Sequence, residues 1–250
     1  MTPLDLLCSI PFHEADPARR ARILSRLADT ELFAALVEEP VADRAELQIF
    51  PLEDGPAALA CDSEERLAGF IGGPVAYVGL PGRVLAAALV AEGRGLLVNP
   101  GQPSQMLLDA AALAWLGQAL EAEPSLAPDE APVAMRQPRP EVVEILAEPV
   151  SLRLGDMGGL VESAALVAAE WADGRANHTL ILKGVGESHR NAVAKAFAEL
   201  LAFLPEIPGG TDLAFSDASH PALALVLESP PLDEPAPAPR RDPNAPPRLR

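Results

Sequence analysis

Three stretches of the chain carry residue types at spacings that could do chemistry. The first is Cys61-Asp62-Ser63-Glu64-Glu65-Arg66, between an apolar run and a segment of helical period. A cysteine at a strand–loop–helix junction is a way to hold a thiolate for sulfur transfer or attack on phosphate esters. That chemistry needs backbone N–H groups and positive charge around the sulfur, to lower its pKa and cradle an anion. Here Asp62, Glu64 and Glu65 crowd the loop, and it has no glycine to let the backbone close around a ligand. The pattern predicts a partly buried structural cysteine ahead of an acidic helix start. A divergent sulfur transferase using Cys61 is the alternative. The second stretch is Lys183-Gly184-Val185-Gly186-Glu187-Ser188-His189-Arg190, also between a strand and a helix. Glycines at such a junction can bring backbone close to an anion at a helix N-terminus, and Lys183, His189 and Arg190 add positive charge. The spacing is neither a phosphate-binding loop of the Walker type nor a dinucleotide fingerprint. Glu187 sits where an anion would dock. The plain alternative is a β–α turn with Ser188 as the helix N-cap. The third is Gly95-Leu96-Leu97-Val98-Asn99-Pro100-Gly101, a buried strand stopped by an Asn-Pro-Gly turn, with Asn99 at the corner. That corner is a structural turn or a ligand contact.

Other chemistries lack their residues. His13, His178, His189 and His220 show no metal spacing such as His-Glu-x-x-His, so no metal site is expected. No Gly-x-Ser-x-Gly elbow is present. No cofactor loop is found, and no catalytic residue set is assigned. The candidate ligand-binding residues are therefore Asn99, Lys183, Gly184, Gly186, Ser188, His189 and Arg190.

The composition narrows the partners. The chain has 250 residues, is 49% hydrophobic and only 4% aromatic, so its cores should be aliphatic. Its 36 acids against 19 bases give a net charge of -17. Such a surface repels phosphate backbones and anionic lipid, so neither nucleic acid nor membrane is an expected partner. Two cysteines, Cys8 and Cys61, make no disulfide framework and fit a reducing compartment. Met1 to Pro11 lacks the basic start of a signal peptide, and a cytoplasmic location is expected.

Those candidate residues must be held by an α+β or α/β arrangement of two small mixed domains. Domain one is expected over 1–122, a Pro-rich linker over 123–140, domain two over 141–228, and a disordered Pro-rich tail over 229–250. In the first domain the patterns predict a helix from Pro17 to Leu27 capped by Asp16, and paired strands Glu46–Pro51 and Ala57–Cys61. They also predict a helix Ser63–Phe70, a strand Pro74–Leu80, a helix Gly82–Ala91, a strand Gly95–Asn99 and a helix Ser104–Leu120. Glu31–Val37 is ambiguous between helix and strand. In the second domain the reading is strand Pro149–Leu154, helix Leu160–Trp171, strand His178–Gly184 and helix Ser188–Leu204. Strands Thr211–Phe215 and Ala222–Leu227 follow. The order is β-α-β-α-β-β, with helices against one sheet.

This pattern resembles the SseB (enhanced serine sensitivity) family. The likeness lies in Ala57 to Arg66, in Gly95 to Gly101, and in the later segments His178–Lys183, Ser188–Leu204 and Asp212–Ser216. It departs at Cys61-Asp62, where the family more often has Phe-Thr. The resemblance implies SseB-type N-terminal and C-terminal domains in a bacterial cytoplasmic protein, and carries no reaction with it. The expected function is that of a non-enzymatic binding or regulatory protein. Its partner is an unidentified protein or small molecule, and self-association is left open.

Overall fold

The structure is a computed structural model that describes residues 1–40, 45–53, 55–128 and 131–230. The turn residue Asp54 and most of the expected tail, residues 231–250, lie outside the described residues.

The first half opens with helices α1 (Pro3–Leu7) and α2 (Pro17–Asp29). Asp16 caps α2 by accepting from the Arg19 N–H at 2.9 Å, and Pro17 supplies its first position. Strand β1 (Glu31–Ala35) resolves the ambiguous stretch as extended. Strands β2 (Ile49–Leu52) and β3 (Gly55–Cys61) form the expected antiparallel hairpin, with Leu52 opposite Gly55. Helix α3 (Glu64–Ile71), β4 (Tyr77–Pro81), α4 (Gly82–Ala91) and β5 (Gly95–Val98) follow. The stretch expected as one helix from Ser104 is instead strand β6 (Met106–Leu108) and helix α5 (Ala110–Leu120). The break comes at Asp109, whose side chain accepts from the Ala112 N–H at 2.7 Å and so starts the helix there.

The strands form one six-stranded sheet in the order β4-β1-β3-β5-β6, with β2 beside β3. Only β3 and β5 pair in parallel, Ala58 opposite Leu96 and Ala60 opposite Val98. Alternation along β3 sends Ala58 and Ala60 to one face and Leu59 and Cys61 to the other. The first face packs on Ile23 and Leu27 of α2, Leu85 and Leu89 of α4, and Leu113 and Leu116 of α5. The second packs on Leu67 of α3. Helices thus cover both faces, and the α3 and β5 termini meet where β3 ends.

The second half departs further from the sequence reading. Strand β7 (Ala134–Arg136) lies within the Pro-rich stretch and pairs antiparallel with Ala168–Glu170 of the second sheet. Helix α6 runs from Pro140 to Asp156, so the expected strand Pro149–Leu154 is helical, with Pro149 inside the helix. The expected helix Leu160–Trp171 is strand β8 (Ser163–Glu170), which forms a hairpin with β9 (Ala176–Lys183). A 3-10 turn at Glu187–His189 leads into α7 (Arg190–Ala202), then β10 (Thr211–Phe215) and β11 (Leu225–Glu228). The sheet order is β10-β9-β8-β11, with only β9 and β10 parallel. Its core joins Leu166, Leu180, Leu182 and Leu213 to Val142, Leu146 and Val150 of α6 and to Val193, Phe197 and Leu200 of α7.

The two halves share apolar and ionic contacts. Phe203, just after α7, belongs to the core of the first sheet and meets Trp115 edge-on, with ring centroids 5.6 Å apart. Arg26 of α2 pairs with Asp156 of α6 at 2.8 Å, and Arg153 of α6 pairs with Asp29 of α2 at 2.8 Å. Arg83 of α4 bridges Asp29 and Glu199. Among the described residues, no helix is long and apolar enough to cross a membrane.

Candidate functional site

Asn99 stands at the centre of a buried polar hub. The parallel pairing of β3 and β5 runs one residue past β5, because the Asn99 N–H donates to Ala60 O at 3.0 Å. The chain then reverses through Asn99 with φ of 46°, the one non-glycine residue with positive φ among the described residues. Asparagine tolerates that conformation better than most side chains. The turn closes with the Gln102 N–H donating to Asn99 O at 3.1 Å. The side chain is fully buried and uses both ends of its amide. Its Oδ1 accepts from the Asp62 N–H at 2.9 Å, and its Nδ2 donates to Ser104 Oγ at 2.9 Å.

From there the network extends to the N-terminal helix. Ser104 Oγ donates to Asp5 Oδ1 at 2.6 Å. Arg66 of α3 grips Asp5 through both terminal nitrogens, Nη1 to Oδ1 at 3.2 Å and Nη2 to Oδ2 at 2.5 Å. The same Nη1 reaches Asp62 Oδ1 at 2.9 Å. Asp5 also closes a capping box, accepting from the Thr2 N–H at 3.0 Å. Burial pushes the Asp5 carboxyl upward, but the hydrogen bonds from Arg66 and Ser104 outweigh it and hold Asp5 well below the usual carboxylate range. The hydrogen bond to Asp5 in turn raises Arg66 above its ordinary value.

One atom of this hub is left over. The Asp62 side chain is 3% exposed, and its Oδ2 is buried without a hydrogen-bond partner among the described residues. An unpaired buried acceptor costs about 1–3 kcal/mol, more when charged, so it calls for an explanation. Asp62 lines a cleft of about 540 Å³ between the two halves, together with Thr2, Thr30, Arg26, Arg153 and Met157.

The Lys183–Arg190 positions lie on the second sheet, at the β9–α7 junction, and are not brought together with Asn99. Lys183 Nζ pairs with Glu162 Oε1 at 2.8 Å. Gly184 has φ of 74°, and a Cβ there would sit 2.6 Å from Glu162 Cβ. Its N–H donates to Asp217 Oδ1 at 3.3 Å. Gly186 precedes the 3-10 turn, and Ser188 lies within it with its hydroxyl 3.4 Å from His189 Nδ1. Ser188 does not cap α7, whose N-cap position is His189 without a side-chain cap. The extra 3-10 turn displaces the helix start by two residues. Arg190 lies over the Phe215 ring at 5.6 Å.

Cys61 ends β3 at 1% exposure, and burial with the neighbouring Asp62 charge pushes its thiol up to about 11. A thiol in that state has almost no thiolate at neutral pH, so nothing here favours the sulfur-transfer alternative. Burial lowers His178, which accepts from the Arg139 N–H at 3.4 Å. Ser163 Oγ and His220 Nε2 lie 2.8 Å apart, but Ser163 is only 1% exposed on a central strand. Among the described residues, no group of three His, Cys, Asp or Glu could hold a metal ion.

Sequence reasoning marked Asn99 but read Asp62 only as an acid crowding Cys61, and missed Asp5, Ser104 and the linking role of Arg66. The Asn-Pro-Gly turn signalled the corner, whereas Asp5 lies 99 residues from the serine it binds. Residues 12–115 match the family model for the SseB protein N-terminal domain, a span that includes Asp62, Arg66, Asn99 and Ser104. It does not reach residues 141–228, where the C-terminal SseB-type domain is expected. The curated proteins contain no match to the chain, and neither do the solved structures.

Proposed function

We propose that the chain, whose residues 12–115 match the family model for the SseB protein N-terminal domain, is a non-enzymatic binding or regulatory protein that takes a small ligand in the cleft at Asp62. The observation that carries this reading is Asp62 Oδ2, buried without a partner among the described residues. The Asp5 carboxylate, the Asn99 amide and the Ser104 hydroxyl are, by contrast, paired within the hub. The hub is therefore a rigid mount, and Asn99 is the positioning residue that fixes the Asp62 backbone. A preformed cleft with few polar groups of fixed direction is how small-molecule sites are commonly built. A cytoplasmic location fits the cysteine usage, and the charge of -17 disfavours nucleic acid as a partner.

Titrating the full chain with pooled small metabolites, followed by NMR, tests the reading. Compounds that bind should shift the Asp62, Thr30 and Met157 signals and be recovered unchanged. Turnover of any pooled compound, abolished by one substitution, overturns it.

A cysteine measurement accompanies this. Native protein should react with a thiol-specific disulfide reagent at Cys61 far more slowly than protein in denaturant, because both burial and the raised pKa suppress the thiolate. Rapid labelling of the native chain at neutral pH would restore the sulfur-transfer reading.

A further inference from the structure

We propose that the ligand of the Asp62 cleft is a small organic monocation bearing N–H donors, a primary alkylammonium. The proposal rests on the reading of this cleft as a ligand site. It follows from counting charge around the cleft. Arg26 is matched by Asp156. Arg153 and Arg83 are matched by Asp29 and Glu199. In the hub, by contrast, one guanidinium, Arg66, serves two carboxylates, Asp5 and Asp62. Asp5 has both oxygens engaged, Oδ1 by Ser104 and Arg66 and Oδ2 by Arg66 and the Thr2 N–H. The uncompensated negative charge therefore falls on Asp62, whose Oδ2 has no donor among the described residues. A buried carboxylate oxygen in that state is stabilised most strongly by a donor that also brings positive charge.

The form of the cation follows from the free acceptors. A guanidinium prefers two parallel carboxylate oxygens, but Asp62 Oδ1 is already taken by Arg66. An ammonium offers three donors in tetrahedral directions. One fits Asp62 Oδ2. The Thr30 hydroxyl oxygen, which lines the same cleft, retains acceptor capacity for a second, whereas Thr2 Oγ1 already accepts from the Asp5 N–H and from Arg66 Nη1, each at 3.4 Å, so the third donor is left to solvent. Thr30 spends its own hydrogen on Arg26 O at 2.8 Å, so its oxygen faces a ligand as an acceptor. Pro3, Leu4 and Met157 supply apolar wall for a short alkyl chain. The other carboxylates lining the cleft, Asp29 and Asp156, are paired with arginines, and among the described residues no group of three His, Cys, Asp or Glu could hold a metal ion.

Calorimetry and NMR on the full chain test this with chosen probes. Propylammonium chloride should bind and shift the Asp62 and Thr30 signals. Tetramethylammonium, which has the charge but no N–H, should bind about tenfold more weakly, as should propylammonium with the D62N variant. Equal binding of the two cations, or unchanged binding to a folded D62N chain, overturns the proposal. If D62N does not fold, the comparison of the two cations on the natural chain decides alone. Propanol or acetate binding at the cleft in preference to propylammonium overturns the cation but leaves the ligand site standing. No shift with any probe overturns both. An arm with Nα-acetyl-lysine amide separates sources. Binding no tighter than that of propylammonium supports a free amine, and binding about tenfold tighter overturns it in favour of a partner's lysine.

Discussion

At the scale of the residue, Asn99 combines two demands that few side chains meet together. It must accept φ of 46° and also supply an acceptor to Asp62 and a donor to Ser104. Substitutions separate these demands. N99G relieves the backbone and loses both hydrogen bonds, whereas N99A loses the bonds and adds left-handed strain of about 1 kcal/mol. Urea denaturation should therefore rank the natural chain above N99G and N99G above N99A, with N99A lower than the natural chain by about 2–4 kcal/mol. N99A equal to N99G would mean that the turn carries no strain. The pH dependence belongs to Asp5. Its folded-state pKa is depressed, so its contribution is full above the unfolded value near 4 and is lost as pH falls through that value toward the folded one. Urea midpoints should fall between about pH 5 and pH 2, and D5N should flatten that slope. At pH 7, D5N should cost about 1–3 kcal/mol, because it weakens the charge-assisted hydrogen bonds of Asp5 while Arg66 keeps Asp62 as a partner. The sequence made Asn99 visible through its turn. It left the hub's other members invisible, because side chains far apart in the chain carry no local periodicity.

At the scale of the element, legibility followed the local signals. Helix α2 was readable from Asp16 and Pro17, α3 from Ser63, and the β2–β3 hairpin from the turn between them. Strand β8 was not, since Ser163–Glu170 is an alanine-rich apolar run buried on both faces, and alanine favours helix locally. Here pairing with β9 and β11 overrides propensity. Helix α6 hid behind Pro149, which removes one backbone donor from the helix interior. The spacing Val142, Leu146, Val150, Leu154 is nonetheless helical, and Pro140 marks its start. The strand that leads to Asn99 has a sharper requirement. A Cβ on Gly95 would sit 2.7 Å from Leu108 O, inside the β5–β6 pairing. G95A should therefore lower stability by about 1–3 kcal/mol in chemical denaturation. An unaffected midpoint would mean that β6 yields at no cost.

At the scale of the molecule, the two halves are coupled through Phe203. It is 3% exposed in the core of the first sheet although it follows the last helix of the second. F203A should cost about 3–5 kcal/mol and lower the melting of both halves together. Separate transitions, with only one displaced, would show that the halves unfold independently. The partly exposed pair Arg22–Glu148 spans the same interface at 2.9 Å. Exposed pairs of this kind contribute about 0–1 kcal/mol and are screened by salt. Raising ionic strength should therefore move the melting temperature little compared with F203A. This coupling was hidden in the sequence, because Phe203 reads there as one more apolar position of its own helix.

The hub also has a chemical lifetime. An asparagine ages when the backbone nitrogen of the next residue attacks its side-chain carbonyl, closing a succinimide ring that opens to aspartate. After Asn99 comes Pro100, whose nitrogen carries no hydrogen and cannot close that ring in the usual way. Deamidation would place a third carboxylate in the hub beside Asp5 and Asp62, in a site that already holds more negative charge than positive. The proline that shapes the turn thus also protects the amide on which the site depends, and old protein should keep its cleft as new protein does.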